Sequence, residues 1–226
     1  MSDIRARSAA ARAAIMARVR KGLGRSGEDA RLAAERVSVA IAHPGPGPRP
    51  PLEGDPVARF IAASERMSSS VAVVDTMDEV PAAIAAWLAE NALATKGVVW
   101  PALAGLDWAG AGLALESRAV REDDPVGVTG CVCAIAETGT LMCASSPDTP
   151  SATSLLPETH VAVVPASRIV PGMEEAWSLA RAEWGARLPR AVNFISGPSR
   201  TGDIEMSIVL GAHGPYRVHI LVVSGV

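Results

Sequence analysis

Gly127-Val-Thr-Gly-Cys-Val-Cys-Ala-Ile-Ala-Glu-Thr-Gly-Thr-Leu141 is an apolar, strand-like run that breaks at a polar corner, Glu137-Thr138-Gly139-Thr140. It resumes at once as Leu141-Met142-Cys143-Ala144. An acid and two hydroxyl residues around a glycine, set between two apolar runs, is an uncommon way to build a turn. It marks a candidate site.

The segments on either side fix the class of fold. Upstream, Asp55 with Pro56 at the first helical position opens a helix that runs to about Met67. A short strand follows over 71–75, then a helix over 78–94 with Ile84, Trp87 and Leu88 on one face, and a strand over 97–101. The glycine-rich stretch at 102–126 has neither helical nor strand period. It reads as a short helix or turn near Leu106 to Trp108, a strand over 115–120, and the charged turn Arg121-Glu-Asp-Asp-Pro125. Downstream, a polar loop at 145–151 leads to a strand at 160–165, an amphipathic helix at 173–184, a strand at 191–195 and a final strand at 219–223. Strands alternating with helices at this spacing predict an α/β fold, an open, mostly parallel sheet with helices on both faces.

The first fifty residues read differently. Residues 2–21 form an alanine-rich helix with Ser2 as its cap. It carries Arg5, Arg7, Arg12, Arg18, Arg20 and Lys21, and only a thin apolar stripe of Ile4, Ile15, Met16 and Val19. A second helix spans 28–42, and His43-Pro-Gly-Pro-Gly-Pro-Arg-Pro-Pro51 ends it, because proline removes donors and holds φ near the polyproline value. The domain expectation is therefore an N-terminal helical arm over 1–43, a Pro-rich linker over 44–51 and an α/β domain over 52–226. The basic first helix is either a solvated surface helix or a docking element for a partner.

A chain of 226 residues, 49% of them hydrophobic, buries a substantial core. With two Phe and one Tyr, that core is built of aliphatic side chains. The formal net charge of −3 gives no global argument for nucleic acid or for an anionic membrane. No apolar h-region opens the chain, and no stretch reaches the roughly 18 uninterrupted apolar residues of a membrane span. The expected location is the cytoplasm. The three cysteines, Cys131, Cys133 and Cys143, all fall in apolar runs. A Cys-x-Cys pair on one strand would share a face, yet no second pair and no nearby histidines complete a metal site, so reduced core cysteines are expected. No Gly-x-Gly-x-x-Gly follows a strand, so a dinucleotide is not indicated, and no cofactor is expected.

A second candidate site begins where the strand at 191–195 ends. Ser196-Gly-Pro-Ser-Arg-Thr-Gly-Asp-Ile-Glu205 reads as an anion site, with Gly197 for close backbone approach and Ser199 or Thr201 capping a short helix. Arg200 adds a positive charge. Asp203 and Glu205 already satisfy such a helix dipole, so a structural capping box is an equal reading. His213, between glycines in Gly211-Ala-His213-Gly214-Pro215, is too exposed a setting for a core residue, whereas His219 at a strand start fits the core.

Three segments taken together, Ala136 to Thr140, Ser196 to Ser199 with Asp203-Ile204-Glu205, and Gly211 with His213-Gly214-Pro215 and His219, resemble the LUD domain family in its lactate utilisation protein C branch. The resemblance runs from about residue 50 to the end. It implies a fold like that of sugar-phosphate isomerases and coenzyme A transferases, with a site at the carboxyl ends of the strands, where open α/β sheets hold ligands. It also implies a component of a bacterial iron-sulphur system that oxidises L-lactate to pyruvate. Cluster-bearing proteins hold iron with several spaced cysteines; this chain has no such set, which points to an accessory subunit with iron-sulphur protein partners. The alternative is a stand-alone enzyme on a small carboxylate or phosphorylated ligand. In that case Glu137 and His213 are catalytic, and Thr138, Gly139, Thr140, Ser196, Gly197, Ser199, Arg200 and Thr201 bind the ligand. A third reading has Glu137 merely capping backbone amides of a tight turn. Arg200 and Gly202 stand where smaller or alanine-like residues fit the family pattern.

Overall fold

The computed structural model describes residues 2–24, 27–42, 49–51, 53–185, 187–204 and 207–226. Residues 43–48 of the Pro-rich segment and Glu205 lie outside the described residues, as do the side chains of Ser2, Ile4, Arg5, Arg7, Glu28 and Asp203. The chain divides into two units, Met1–Pro51 and Leu52–Val226.

The first unit is made of α1 (Ser2–Leu23) and α2 (Gly27–Ala42). Arg20 and Lys21 in the last turn of α1 complement the carbonyl end of its dipole. Ile15, Met16, Val19 and Leu23 of α1 are exposed, as are Val37, Val39 and Ile41 of α2.

The second unit runs α3 (Pro56–Arg66), β1 (Ser70–Val74), α4 (Val80–Glu90), β2 (Lys96–Val99), β3 (Ala114–Glu116), β4 (Val126–Thr129), β5 (Cys133–Ile135), β6 (Thr140–Ala144), β7 (Thr159–Pro165), β8 (Ile169–Val170), α5 (Met173–Trp184), β9 (Val192–Ile195), β10 (Arg200–Ile204), β11 (Ser207–Leu210) and β12 (Arg217–Val223). Six strands form a wholly parallel sheet in the order β1-β12-β7-β4-β2-β3. Its strands are apolar on both faces. Val161 and Val163 of β7 pack with Val80, Ile84 and Leu88 of α4, while Ala162 and Val164 turn to the other side with Phe60 of α3. A sheet covered on both faces demands such continuous apolar runs.

The second face holds a feature the alternating pattern does not show. Four further strands form a separate sheet in the order β8-β5-β6-β9, mostly antiparallel. Ala134, Leu141 and Cys143 of this sheet face the parallel sheet, and Cys133, Ile135 and Met142 face Ala176 and Ala180 of α5. The layers are thus α4, parallel sheet, second sheet with α3 beside it, and α5.

The stretch at 127–141 serves both sheets, which corrects its reading as one strand. It enters as β4, bends at 130–132 and re-emerges as β5 in the second sheet. Cys131 therefore lies in the bend, half-buried, and only Cys133 is on a strand; the two do not form a same-face strand pair. A second correction concerns residues 199–204. No helix opens there; Arg200 pairs with Leu210 and Thr201 with Val209 in the antiparallel hairpin β10-β11. Ser199 and Thr201 therefore open no helix.

Candidate functional site

The polar corner is the loop of the β5-β6 hairpin, with Ile135 paired to Thr140 across it. The Gly139 amide donates to the Ile135 carbonyl at 3.0 Å, closing the turn. Gly139 sits at φ +65, and a Cβ there would lie 2.4 Å from the Ser64 amide nitrogen of α3. Both the left-handed backbone and the close approach require glycine. Gly197 repeats the pattern: φ +79, with a Cβ 2.1 Å from the Met67 carbonyl oxygen just past α3. These two glycines dock their loops on the end of α3, a packing role that accounts for them without a ligand.

The hydroxyls form a chain. Thr138 Oγ1 and Thr140 Oγ1 lie 2.7 Å apart, and Thr140 Oγ1 and Ser196 Oγ 2.6 Å apart. Thr140 is buried, while Thr138 and Ser196 are exposed. The half-buried Glu137 accompanies this chain around a cavity of about 510 Å³ lined also by Ala63, Arg66, Met67, Met173 and Phe194. The Glu137 amide donates to the Pro171 carbonyl at 3.0 Å, and its Oε2 lies 3.2 Å from where a Cβ of Gly172 would be. Gly172 is the N-cap of α5 and supplies no capping side chain. The Glu137 carboxylate thus stands at the amino end of α5, beside Glu174 and Glu175 of its first turn.

The remaining predicted residues are tied in by backbone. The Ser199 amide donates to the Pro215 carbonyl and the Gly211 amide to the Ser199 carbonyl, each at 2.9 Å, which joins the 196–201 segment to the His213 loop. Arg200 donates to Ser68 Oγ. His213 is exposed and does not line the Glu137 cavity. Its loop instead borders, through Gly211 and Gly214, a second cavity walled by Glu122, Asp123, Asp124 and Glu158. Asp124 is held by a bidentate Arg118 at 2.7 Å, which lowers its pKa. The structure brings Glu137, Thr138, Thr140 and Ser196 to one cavity and leaves His213 beside another. Among the described residues, no group of three or more His, Cys, Asp or Glu side chains is placed to hold a metal ion.

The three motifs do not lie at the carboxyl ends of the strands, where the resemblance implies a site. Met67 and Ser68 precede β1, and the Tyr216 and Arg217 amides at the start of β12 donate to the Glu158 carbonyl just before β7. All of this is the amino edge of the parallel sheet. Arg66, Met67, Met173 and Phe194 were not legible as site residues, because each reads locally as the end of a helix or strand.

The buried ionisable groups lie elsewhere. His160 Nε2 bonds Thr129 Oγ1 at 2.7 Å, and burial lowers its pKa to about 4. His219 Nδ1 bonds Ser70 Oγ at 2.8 Å, its ring stacks on Trp87 at 4.2 Å, and burial likewise lowers its pKa to about 4. Burial raises the thiols of Cys133 to about 11 and Cys143 to about 12, so both stay protonated near neutral pH.

A parallel α/β sheet with a polar hairpin loop, a hydroxyl chain and a carboxylate at a helix start defines a class of fold and site. Its fold matches the crystal structure of a DUF162 family protein from Deinococcus radiodurans, with a TM-score of 0.57 at 24% identity over 76% of this chain and 99% of that one. The model of the LUD domain matches residues 103–223, the segment that holds all three motifs, and the chain belongs to that family. Named relatives include Lactate utilization protein C of Bacillus subtilis (strain 168), 42% identical over 105 residues, which are 46% of this chain and 44% of that protein. Another is Lactate utilization protein C of an Exiguobacterium species, 42% identical over 107 residues, 46% of each chain. The match spans less than half the length of these relatives. Among the described residues, no helix is long and apolar enough to cross a membrane.

Proposed function

We propose that the chain takes part in bacterial lactate utilisation, as an accessory subunit of an iron-sulphur system that oxidises L-lactate to pyruvate in the cytoplasm. The observation that carries this is the 42% identity to proteins called Lactate utilization protein C. The cysteine inventory supports the accessory role. With Cys133 and Cys143 buried in the second sheet and Cys131 at its entry, no spaced thiolate set is available for a cluster, so the iron would belong to partner proteins.

In this reading the cavity of Glu137, Thr138, Thr140 and Ser196 is the working site, holding a small carboxylate or a partner's loop. Arg66 supplies the positive charge and Thr138 and Ser196 the exposed hydroxyls. The stand-alone enzyme with paired Glu137 and His213 draws no support from the geometry, since His213 does not line the Glu137 cavity and its loop borders another through Gly211 and Gly214. The test is lactate-dependent dye reduction by the purified chain, alone and with the products of neighbouring genes. The expected result is no turnover alone and full turnover in the set, with Glu137→Gln lowering only the latter. Turnover by the isolated chain would sink the accessory role, and a set that works equally well without the chain would sink any role in lactate oxidation.

A further inference from the structure

The carboxyl edge of the parallel sheet holds a cavity of its own, about 520 Å³, which no sequence motif marks. Trp100 follows β2, Cys131 lies two residues past β4, and Arg168 three past β7. The opposite wall comes from Glu183 and Trp184 at the end of α5 and from Arg187, Leu188 and Pro189. A crevice outside the carboxyl ends of parallel strands is where such sheets hold ligands, and the volume falls in the roughly 300–1,000 Å³ range of small-molecule sites.

The lining defines the ligand. Its charged residues are Arg168, Arg187 and Glu183, two positive and one negative, a net charge of +1 that suits a monoanion. Arg168 donates one nitrogen to Glu183 at 2.5 Å, which orients the guanidinium and leaves its other donors for a carboxylate. Most of the nearby hydroxyls are committed. Thr149 Oγ1 donates to the Ala144 carbonyl at 2.7 Å and lies 2.9 Å from Ser146 Oγ, whereas Ser145 Oγ accepts from the Ala191 amide and keeps its own proton to donate. The rest of the wall is apolar: Trp100, whose indole N-H is already given to the Pro150 carbonyl, with Val132, Trp184 and Leu188.

We propose that this cavity binds an amphipathic monocarboxylate larger than lactate, its carboxylate on Arg168 and Ser145 and its apolar body against Trp100 and Trp184. One positive site charge disfavours a phosphate dianion, and the apolar walls give lactate nothing to fill. Burial holds the Cys131 thiol protonated, and the proposal is one of binding. It is separate from the Glu137 cavity, and its failure leaves the lactate reading untouched.

The test is calorimetric titration of the full chain with 4-phenylbutyrate and octanoate, against 4-phenylbutanol, L-lactate and inorganic phosphate. Saturable binding of at least one of the first two is expected, about tenfold or more tighter than the other three, since a charge-assisted pair and a filled apolar wall each contribute that much. Arg168→Gln should weaken the carboxylates by about tenfold and leave the alcohol unchanged, whereas Glu183→Gln, which frees the guanidinium, should leave carboxylate binding equal or tighter. Trp184→Ala should weaken the carboxylates without touching the amino-edge cavity. No saturation by either carboxylate, tighter binding of phosphate or lactate, or indifference to both Arg168→Gln and Trp184→Ala overturns the proposal. Because Arg168 and Glu183 are both exposed, their variants should fold, and circular dichroism checks this.

Discussion

The two edges of the parallel sheet are built on opposite principles. At the amino edge, conformation is over-determined: Gly139 and Gly197 press on α3, His160 and His219 are sealed into their strands, and a hydroxyl chain ties one loop to the next. At the carboxyl edge the cavity is lined by side chains from Trp100 to Pro189, joined by the Arg168–Glu183 pair and the Ser146–Thr149 hydroxyls and not by glycines pressed on a helix. The first edge spends its chemistry on holding backbone in place, the second leaves charge and aromatic surface free. Dense motifs are therefore a sign of constraint at least as often as of a ligand.

The strongest way to break this contrast is to put a side chain where the amino edge has none. Gly197→Val and Gly139→Val combine a left-handed φ with a Cβ 2.1 to 2.4 Å from backbone atoms of Met67 and Ser64. Each should cost about 3 kcal/mol or more in urea unfolding, or abolish soluble protein. Gly112→Ala is the comparator, since Gly112 has φ +79 and open space around it; it should cost only about 1 kcal/mol. Equal losses at all three positions would mean that φ alone, and not the contact with α3, fixes glycine at the amino edge.

Acid should strike the same edge next. His160 and His219 have folded pKa values lowered to about 4 from 6.5 by burial. The unfolded chain then binds more protons than the native one, so the stability that these neutral rings contribute is present above pH 6.5 and is lost as the pH falls towards 4. The loss should reach on the order of 3 kcal/mol for each residue, read as a falling urea midpoint between pH 7 and pH 4.5. A His160→Gln, His219→Gln double variant should flatten that slope. An unchanged slope would place the acid-sensitive groups elsewhere.

How much of this could be read in advance follows from the same contrast. The parallel sheet was legible because strands buried on both faces write continuous apolar runs, as Val161 to Val164 do, between helices with four-residue apolar spacing such as Ile84 and Leu88. The second sheet was not, because β5 and β8 have three and two residues and pair with strands distant in sequence. The polar corner at Glu137 was legible because turn chemistry is local. The helix expected at Ser199 failed because a serine, a glycine and nearby acids fit a hairpin as well as a cap, and only pairing to Val209 and Leu210 decides between them. Arg168 carried the one signal the carboxyl edge offers, a cation in the first polar loop after a buried strand.

A smaller effect sharpens the role of the hydroxyl chain. Thr140→Val keeps the shape of a buried side chain and removes its bonds to Thr138 and Ser196, both of which are exposed enough to turn to water. The expected cost is about 1 kcal/mol. If the variant is silent in stability but lowers turnover of the reconstituted lactate system, the chain serves the cavity and not the fold.

The smallest expected change compares one arginine from each edge. Arg200 at the amino edge bonds Ser68, and Arg168 at the carboxyl edge pairs with Glu183; both arginines and both partners are exposed. Exposed pairs contribute little, because solvent screens the charge and two side chains must be held in one geometry. Arg200→Ala and Arg168→Gln should each shift stability by within about 0.5 kcal/mol. Their difference should appear only in binding, with Arg168→Gln weakening apolar carboxylates and Arg200→Ala leaving them alone. A loss of more than about 1 kcal/mol for Arg168→Gln would make its pair with Glu183 a structural clamp between the end of β7 and α5, and the carboxyl edge would then be constrained backbone like its opposite.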